Sequence, residues 1–201
     1  IVPFVILKAM WFAPPPPEGI RLTKKNSPKL FAMLKDFNRR LKTEKIHEVV
    51  LDTDFNAGMY QRPLPVLGLL GISRNYLILG LPFMQAMGPD HLQAVVGHEL
   101  GHLSNNHGFF SNWVYRQRVV FRRVLEQMEQ EDHWGMFLFK PFCKKFFPYF
   151  NAYTFVLARR QEYEADHVAH ELVGAKAQAE SLAISEIKGK YLSCDFWPKV
   201  Y

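Results

Sequence analysis

The chain has 201 residues, of which 48% are hydrophobic and 22% are charged, so it encodes a folded protein with one substantial core and not a disordered segment. The formal net charge of +6 suits an anionic membrane surface, nucleic acid or simple solubility. No nucleic-acid-binding motif accompanies the charge, so a nucleic-acid partner is not expected. The two isolated cysteines, Cys143 and Cys194, argue against a disulfide framework and a cysteine-based zinc site.

The N-terminal residues predict a membrane-proximal segment. Residues 1–13 are mostly apolar, but a bilayer-spanning helix needs about 20 such residues. We therefore expect residues 1–13 to be the end of a longer, truncated membrane segment, with a signal-peptide core or a buried strand or helix as the alternatives. Residues 14–26 contain Pro14–Pro17 and several basic residues, which predicts an extended linker. Its positive charge favours a cytoplasmic position for the remainder of the chain.

Residues 27–201 are expected to form one folded domain. Ser27 and Pro28 begin an amphipathic helix that continues to about Lys42. Short β-branched or apolar runs predict strands at Ile46–Leu51 and Tyr76–Leu81. Gly88 and Pro89 begin the next helix.

The C-terminal half is expected to be mainly helical. Helices are predicted at 113–128, Arg160–Val173 and 177–187, with an irregular tail after the last. The aromatic stretch from Trp134 to Phe155 is interrupted by Pro141 and Pro148, so it does not predict a plain transmembrane helix.

The helix after Gly88 contains the sequence His98-Glu99-Leu100-Gly101-His102. Residues four apart lie on one face of a helix, so His98 and His102 can present two imidazoles to one metal ion. Glu99 comes directly after His98, close enough to reach a water molecule on that ion. The spacing therefore predicts a zinc site with two histidine ligands and a glutamate as general base.

Catalytic zinc normally has a third protein ligand. His107 lies nine residues after His98, one short of the spacing in H-E-x-x-H-x-x-G-x-x-H, and Asn105 stands where that pattern has Gly, so His107 is not favoured. Glu162 is the better candidate, and Asp166, four residues later on the same helix face, could accept a hydrogen bond from a ligand histidine. The alternative is a solvated acidic helix face.

These features together resemble the HtpX-like and CAAX prenyl endopeptidase-like zinc metallopeptidases, which are gluzincins. The resemblance is carried by five elements: Asn56-Ala57, the strand at Tyr76–Leu81, Asp90, the H-E-x-x-H segment, and Glu162-Tyr163-Glu164-Ala165-Asp166. It implies that Glu162, and not Glu164, is the third ligand and that Asp166 orients a ligand histidine.

The resemblance also implies a fold and a mode of substrate binding. The expected fold is an α+β, predominantly helical zincin-like domain with a small sheet above the H-E-x-x-H helix. The edge of that sheet would bind substrate as an added strand, with Asn56 and Ala57 as substrate-binding residues.

Two features depart from the family pattern. Many members have paired hydrophobic spans between the two motifs, whereas here the aromatic stretch contains Pro and Lys and better suits an interfacial or re-entrant element. An ordinary aromatic core or a lid over the cleft is the alternative. Members often have a later His or Arg that stabilises the oxyanion, but His170, the last histidine here, is too close to Glu162 to be an obvious match.

The sequence thus predicts a membrane-associated zinc endopeptidase, with its peptidase domain on the cytoplasmic side. One Zn²⁺ per chain is expected, and Glu99 activates a zinc-bound water to hydrolyse a protein or peptide substrate. The alternative is a proteolytically latent peptidase-fold module with a chaperone-like or protein-binding role. The sequence makes no prediction of the oligomeric state.

Overall fold

A computed structural model describes residues 15–63, 73–103 and 136–200. The chain divides into two compact units, the first formed by residues 1–104 and 165–201 and the second by residues 105–164. Three predicted features lie outside the described residues: the hydrophobic segment at 1–13, His107, and the helix expected over 113–128.

A four-stranded mixed sheet lies in the first unit. Its strands are β1 (Ile20–Leu22), β2 (Glu48–Asp52), β3 (Ala57–Pro63) and β4 (Ser73–Gly80), in the order β1-β2-β4-β3. The central pair, β2 and β4, is parallel, whereas β1 and β3 are antiparallel to their neighbours. β3 is therefore an edge strand, and its outer backbone groups have no strand partner among the described residues.

Strand β1 lies within the segment predicted as a linker. Ile20 pairs with Leu51, and the side chain of Arg21 donates to Glu48 over 3.0 Å. Three residues are too few to give a recognisable alternation of polar and apolar side chains, so this strand depends on the neighbouring β2 and was not predicted.

Three helices pack with the sheet in the first unit. They are α1 (Pro28–Leu41), α2 (Leu81–Ala86) and α3 (Pro89–Gly101). The main apolar cluster joins α1, β2, β4 and α3, and its buried members are Leu34, Phe37, Val49, Leu77, Leu79, Val96, Leu100 and Leu103. This cluster fixes the face of α3 that turns toward the sheet and, as a consequence, the direction of the motif's polar side chains.

One long helix, α4, extends from Met136 to Val173. The sequence had predicted an interrupted aromatic stretch followed by a separate helix at Arg160–Val173. Pro141 and Pro148 lie inside α4, although each removes one backbone donor. The rings of Phe142, Phe146 and Phe150 stack at successive four-residue intervals, with centroids 5.4 and 5.8 Å apart. Such i,i+4 ring pairs favour the helical conformation.

The sequence predicted an irregular tail after residue 187, and this prediction was wrong, because the C-terminal residues are helical to Val200. α5 (Ala175–Tyr191) continues through a π-helical stretch at Leu192–Phe196 into α6 (Trp197–Val200). Within the part of the chain that the structure describes, no helix has both the length and the apolar character needed to cross a bilayer. The fold is α+β and predominantly helical with a small sheet, as predicted.

Candidate active site

Helix α3 brings the two motif histidines together. His98 lies in its last turn and His102 is its C-terminal cap, still with helical backbone angles (φ −64°, ψ −21°). The two Nε2 atoms lie 3.2 Å apart, and the rings are nearly perpendicular, at 85°. Both side chains are half-buried. The four-residue spacing therefore produces two nitrogen donors directed at one point.

Asp166 fixes the orientation of the first histidine. The Nδ1–H of His98 donates to Oδ1 of Asp166 over 2.9 Å. With the proton on Nδ1, the Nε2 lone pair of His98 can bind a cation. Asp166 thus occupies the position, relative to His98, that a carboxylate needs to hold a metal-binding tautomer.

Small residues allow α3 to approach the last turns of α4 closely. A Cβ on Gly101 would lie 2.7 Å from the Cα of Ala165, and one on Gly97 would lie 2.9 Å from a methyl group of Leu172. Ala165 and Ala169 are fully buried at this contact. The hydrogen bond between His98 and Asp166 depends on this short separation of the helices, because both side chains are short.

The role of these glycines was not predicted from the sequence. The available signal was a matching pattern: Gly97 and Gly101 are four residues apart, as are Ala165 and Ala169. Small residues at this spacing on two helices permit close packing of their backbones.

Glu162 lies one helical turn before Asp166 on α4. His98, His102 and Glu162 each offer one ligand atom, and these three atoms lie within 4.8 Å of one another. Two imidazole nitrogens and a carboxylate oxygen are the donor set of a familiar class of catalytic zinc site. The structure therefore groups the three residues that were expected to bind the metal, and the group could hold a metal ion.

The separation of the two imidazole nitrogens is compatible with bound zinc. Zinc binds histidine nitrogen at about 2.0–2.1 Å with tetrahedral geometry, which places two ligand nitrogens about 3.3 Å apart. The observed separation between Nε2 of His98 and Nε2 of His102 is 3.2 Å. The residues present thus fit the predicted cofactor.

Glu99 points from α3 toward the edge strand of the sheet. Its Oε2 accepts a hydrogen bond from the backbone N–H of Met59 on β3, over 2.8 Å. Gly80 donates to the carbonyl of Asn56 at the start of β3, so alternation along the antiparallel pair directs the N–H and C=O groups of Ala57, Met59 and Gln61 to the outer edge. The carboxylate of Glu99 therefore lies at the outer edge of the sheet.

Asn56 and Ala57, expected to bind substrate, lie where β3 begins. The side-chain oxygen of Asn56 accepts the N–H of Ala57 over 2.9 Å, and the side chain of Ala57 packs against the main apolar cluster. Their role toward substrate stays a prediction. His170 is exposed on α4, and the structure gives no sign that it contributes to the site.

Comparison with known proteins identifies the family. A model of peptidase family M48 matches residues 68–193, well over half of the chain and including both sequence motifs. Searches of the curated proteins and of the solved structures found no match. A peptidase acts on peptides or proteins, and the grouped donors of His98, His102 and Glu162 agree with a metal-dependent mechanism. The chain belongs to peptidase family M48 and is a metallopeptidase.

Proposed function

We propose that this metallopeptidase is a membrane-associated, zinc-dependent endopeptidase of the gluzincin type, in which Glu99 activates the attacking water. The observation that carries the proposal is the convergence of the His98 and His102 Nε2 atoms, 3.2 Å apart, on the helix that also carries Glu99.

Each side chain has a distinct task in this proposal. His98, His102 and Glu162 hold the metal, and Asp166 keeps the proton of His98 on Nδ1. Zinc held there would polarise the scissile carbonyl and acidify the attacking water. Glu99 accepts a proton from that water and returns it to the leaving amine. The N–H of Met59, 2.8 Å from Oε2 of Glu99, orients the carboxylate for this transfer.

Substrate would bind along the outer edge of β3. The carbonyl groups of Ala57, Met59 and Gln61 face that edge, so an extended peptide can add to the sheet there by donating its N–H groups to them. The N–H groups of Ala57 and Met59 are already bound to Asn56 and Glu99. Because the carboxylate of Glu99 lies at the same edge, 2.8 Å from the N–H of Met59, a peptide in this position would lie beside the general base. An added strand can be recognised along its backbone in mid-chain, which suits an endopeptidase.

Substitution of the base separates metal binding from catalysis. Glu99→Gln should retain stoichiometric zinc, measured by elemental analysis, and lose hydrolysis of casein. His98→Ala and Glu162→Ala should both lose zinc. Glu171→Gln is the matched control, because Glu171 is an exposed residue of α4 whose ion pair is with the exposed His167, and this variant should retain both properties.

Three results would contradict the proposal. Proteolysis by Glu99→Gln would exclude Glu99 as the base, and stoichiometric zinc in Glu162→Ala would require another ligand. Wild-type protein that binds zinc but cleaves neither casein nor a peptide library would favour the proteolytically latent module.

The aromatic part of α4 supports membrane association. Phe142, Tyr149 and Tyr153 are 59%, 63% and 83% exposed, and Lys144 and Lys145 lie on the same exposed turns. Exposed aromatic side chains partition into the interfacial region of a bilayer, and lysines favour anionic lipid headgroups. Anionic lipids are abundant in the cytoplasmic leaflet, which supports the cytoplasmic side for this domain.

Vesicle flotation tests this part of the proposal. Vesicles containing phosphatidylserine should carry wild-type protein upward more strongly than neutral vesicles do. Lys144→Glu with Lys145→Glu should reduce flotation, whereas Lys176→Glu, an exposed position on α5, should have little effect. Equal flotation with both vesicle types and all variants would contradict electrostatic attachment through α4.

A further inference from the structure

A buried glutamine lies directly behind Asp166. Gln178 belongs to the first turns of α5, and its Nε2–H donates to Oδ1 of Asp166 over 3.0 Å. The same oxygen accepts the Nδ1–H of His98 over 2.9 Å. One carboxylate oxygen therefore receives two donors, one from the metal-binding histidine and one from the amide.

The turn between α4 and α5 brings Gln178 to this position. Gly174 separates the two helices with φ +86° and ψ 160°, a conformation that other residues rarely adopt. As a result, a residue twelve positions after Asp166 reaches back to its carboxylate.

Packing alone does not explain a glutamine at this position. Its residue surface is only 8% exposed, and its Oε1 is buried with no hydrogen-bond partner in the described part of the chain. Burial of an unpaired amide oxygen lowers stability. An apolar side chain of similar size would avoid that cost, so the amide is better explained by what its N–H does to Asp166.

The neutral charge of the amide matters for the metal site. A lysine or arginine in its place would pair with Asp166 and weaken the attraction between the carboxylate and the Nδ1–H of His98. An amide donates a hydrogen bond and leaves the negative charge intact. The side chain of Asp166 is 39% exposed, so without this donor the carboxylate could rotate toward solvent.

We infer that Gln178 is a positioning residue of the metal site: it holds Oδ1 of Asp166 against His98 and thereby fixes the imidazole for metal binding. The inference rests on the proposed function of His98 as a zinc ligand. Gln178 touches neither substrate nor metal in this scheme, so its influence must pass through Asp166.

The test is the zinc dissociation constant of the full chain, measured by competition with a chromophoric chelator at constant pH. Loss of a group that orients a ligand costs about 10–100-fold in metal affinity, which is expected for Asp166→Ala. Gln178 lies one contact further away, so Gln178→Met should weaken zinc binding by about three- to tenfold. Because it removes the unpaired oxygen, this substitution should not lower the melting temperature of the metal-free protein.

A double variant separates positioning from general structural support. In an Asp166→Ala background, Gln178→Met should have no further effect on zinc affinity. Ser181→Ala is the control for helix packing, because the buried Ser181 hydroxyl donates to the backbone carbonyl of Gln178 over 2.7 Å. It should lower the melting temperature and leave zinc affinity unchanged. Gln178→Leu provides a second variant should Gln178→Met fold poorly.

Different results overturn different statements. If the wild-type protein binds zinc and Gln178→Met has the same zinc dissociation constant, the inference about Gln178 is overturned, whereas the proposed function is not. A loss of equal size in the Asp166→Ala background would also overturn the inference, because the effect would not pass through Asp166. Absence of zinc from correctly folded wild-type protein would overturn the proposed function and this inference with it.

Discussion

The Cα of Ala165 lies so close to Gly101 that a Cβ on the glycine would be 2.7 Å away from it. Real Cβ contacts are longer than this, and the atom that would be approached belongs to the backbone of α4, which cannot rotate away. The contact therefore sets the separation between the helix that carries His98 and the helix that carries Asp166. Both the stability of the fold and the geometry of the metal site therefore depend on this contact.

Substitution of Gly101 by alanine should destabilise the protein. Overpacking of a tight contact costs about 1–3 kcal/mol, whereas alanine is about 1 kcal/mol better than glycine inside a helix. The packing cost should dominate, and urea unfolding should show a lower midpoint. Gly97→Ala should cost less, because its nearest neighbour is the end of the flexible Leu172 side chain.

Gly189→Ala is the matched control. Gly189 also lies inside a helix, but a Cβ there would make only ordinary contacts at 3.7 Å with Phe55. This variant should gain stability of up to about 1 kcal/mol from helix propensity. Equal stabilisation by Gly101→Ala would mean that the helix separation is not set at this contact.

Local spacing explains why the centre of the site could be predicted. His98, Glu99 and His102 have their relative positions fixed by helix geometry alone, as do Glu162 and Asp166. The link between the two groups is different: His98 and Asp166 are 68 residues apart. Only the family resemblance connected them at the level of sequence.

Features that depend on tertiary contacts were not predicted. The donor in the hydrogen bond from Met59 to Glu99 is the backbone N–H. The identity of residue 59 therefore does not predict this hydrogen bond. Gln178 is an ordinary polar residue in the sequence and becomes notable only because the turn at Gly174 directs it to Asp166. The continuity of α4 through two prolines likewise contradicts the local preference of proline.

Removal of the Met59 N–H should impair catalysis more than folding. Met59→Pro deletes the donor to Glu99, and proline is tolerated on an edge strand where the N–H faces outward. A misplaced catalytic group costs up to about 100-fold in rate, so we expect kcat to fall between about tenfold and 100-fold. Peptide hydrolysis at saturating substrate measures this, together with zinc content.

Met59→Ala distinguishes the backbone donor from the side chain. The Met59 side chain packs against the main apolar cluster, and both variants remove it, but alanine retains the N–H. The alanine variant should therefore keep most of its kcat. If the two variants lose activity equally, the side chain and not the hydrogen bond is responsible.

Asn75 should be a stability determinant with no role in catalysis. Its residue surface is 1% exposed, and its amide donates to Glu44 and to the Lys45 carbonyl over 3.0 and 3.2 Å. Asn75→Ala leaves the Lys45 carbonyl without this donor, which should cost about 1–3 kcal/mol. Thermal unfolding measures the loss.

Asn38 provides the comparison. Its amide also donates to a backbone carbonyl, that of Glu44, over 3.2 Å, but in an exposed setting. Asn38→Ala should therefore change stability by no more than about 0.5 kcal/mol. Reduced kcat in Asn75→Ala well below its melting temperature would show that the residue affects the active site as well.

Gly174 should be required for its backbone conformation and not for space. Its angles, φ +86° and ψ 160°, lie in a region that is almost confined to glycine, and a Cβ there would meet nothing within 4 Å. Any L-residue should therefore cost about 1–3 kcal/mol. Asparagine tolerates the left-handed helical region but not this one, so Gly174→Asn should be as destabilising as Gly174→Ala in urea unfolding.

Gly58 is the control for the backbone conformation of Gly174. The difference between the unfolding free energies of Gly174→Ala and Gly58→Ala measures the cost of placing an L-residue at the positive φ. A Cβ on Gly58 would also meet nothing within 4 Å, but Gly58 lies in strand β3 and its φ is not positive. Gly58→Ala should be neutral or slightly stabilising, because alanine loses less backbone entropy than glycine on folding. If Gly174→Ala were equally neutral, the turn would be able to adopt another backbone conformation. The hydrogen bond between Gln178 and Asp166 would then not depend on the positive φ of Gly174.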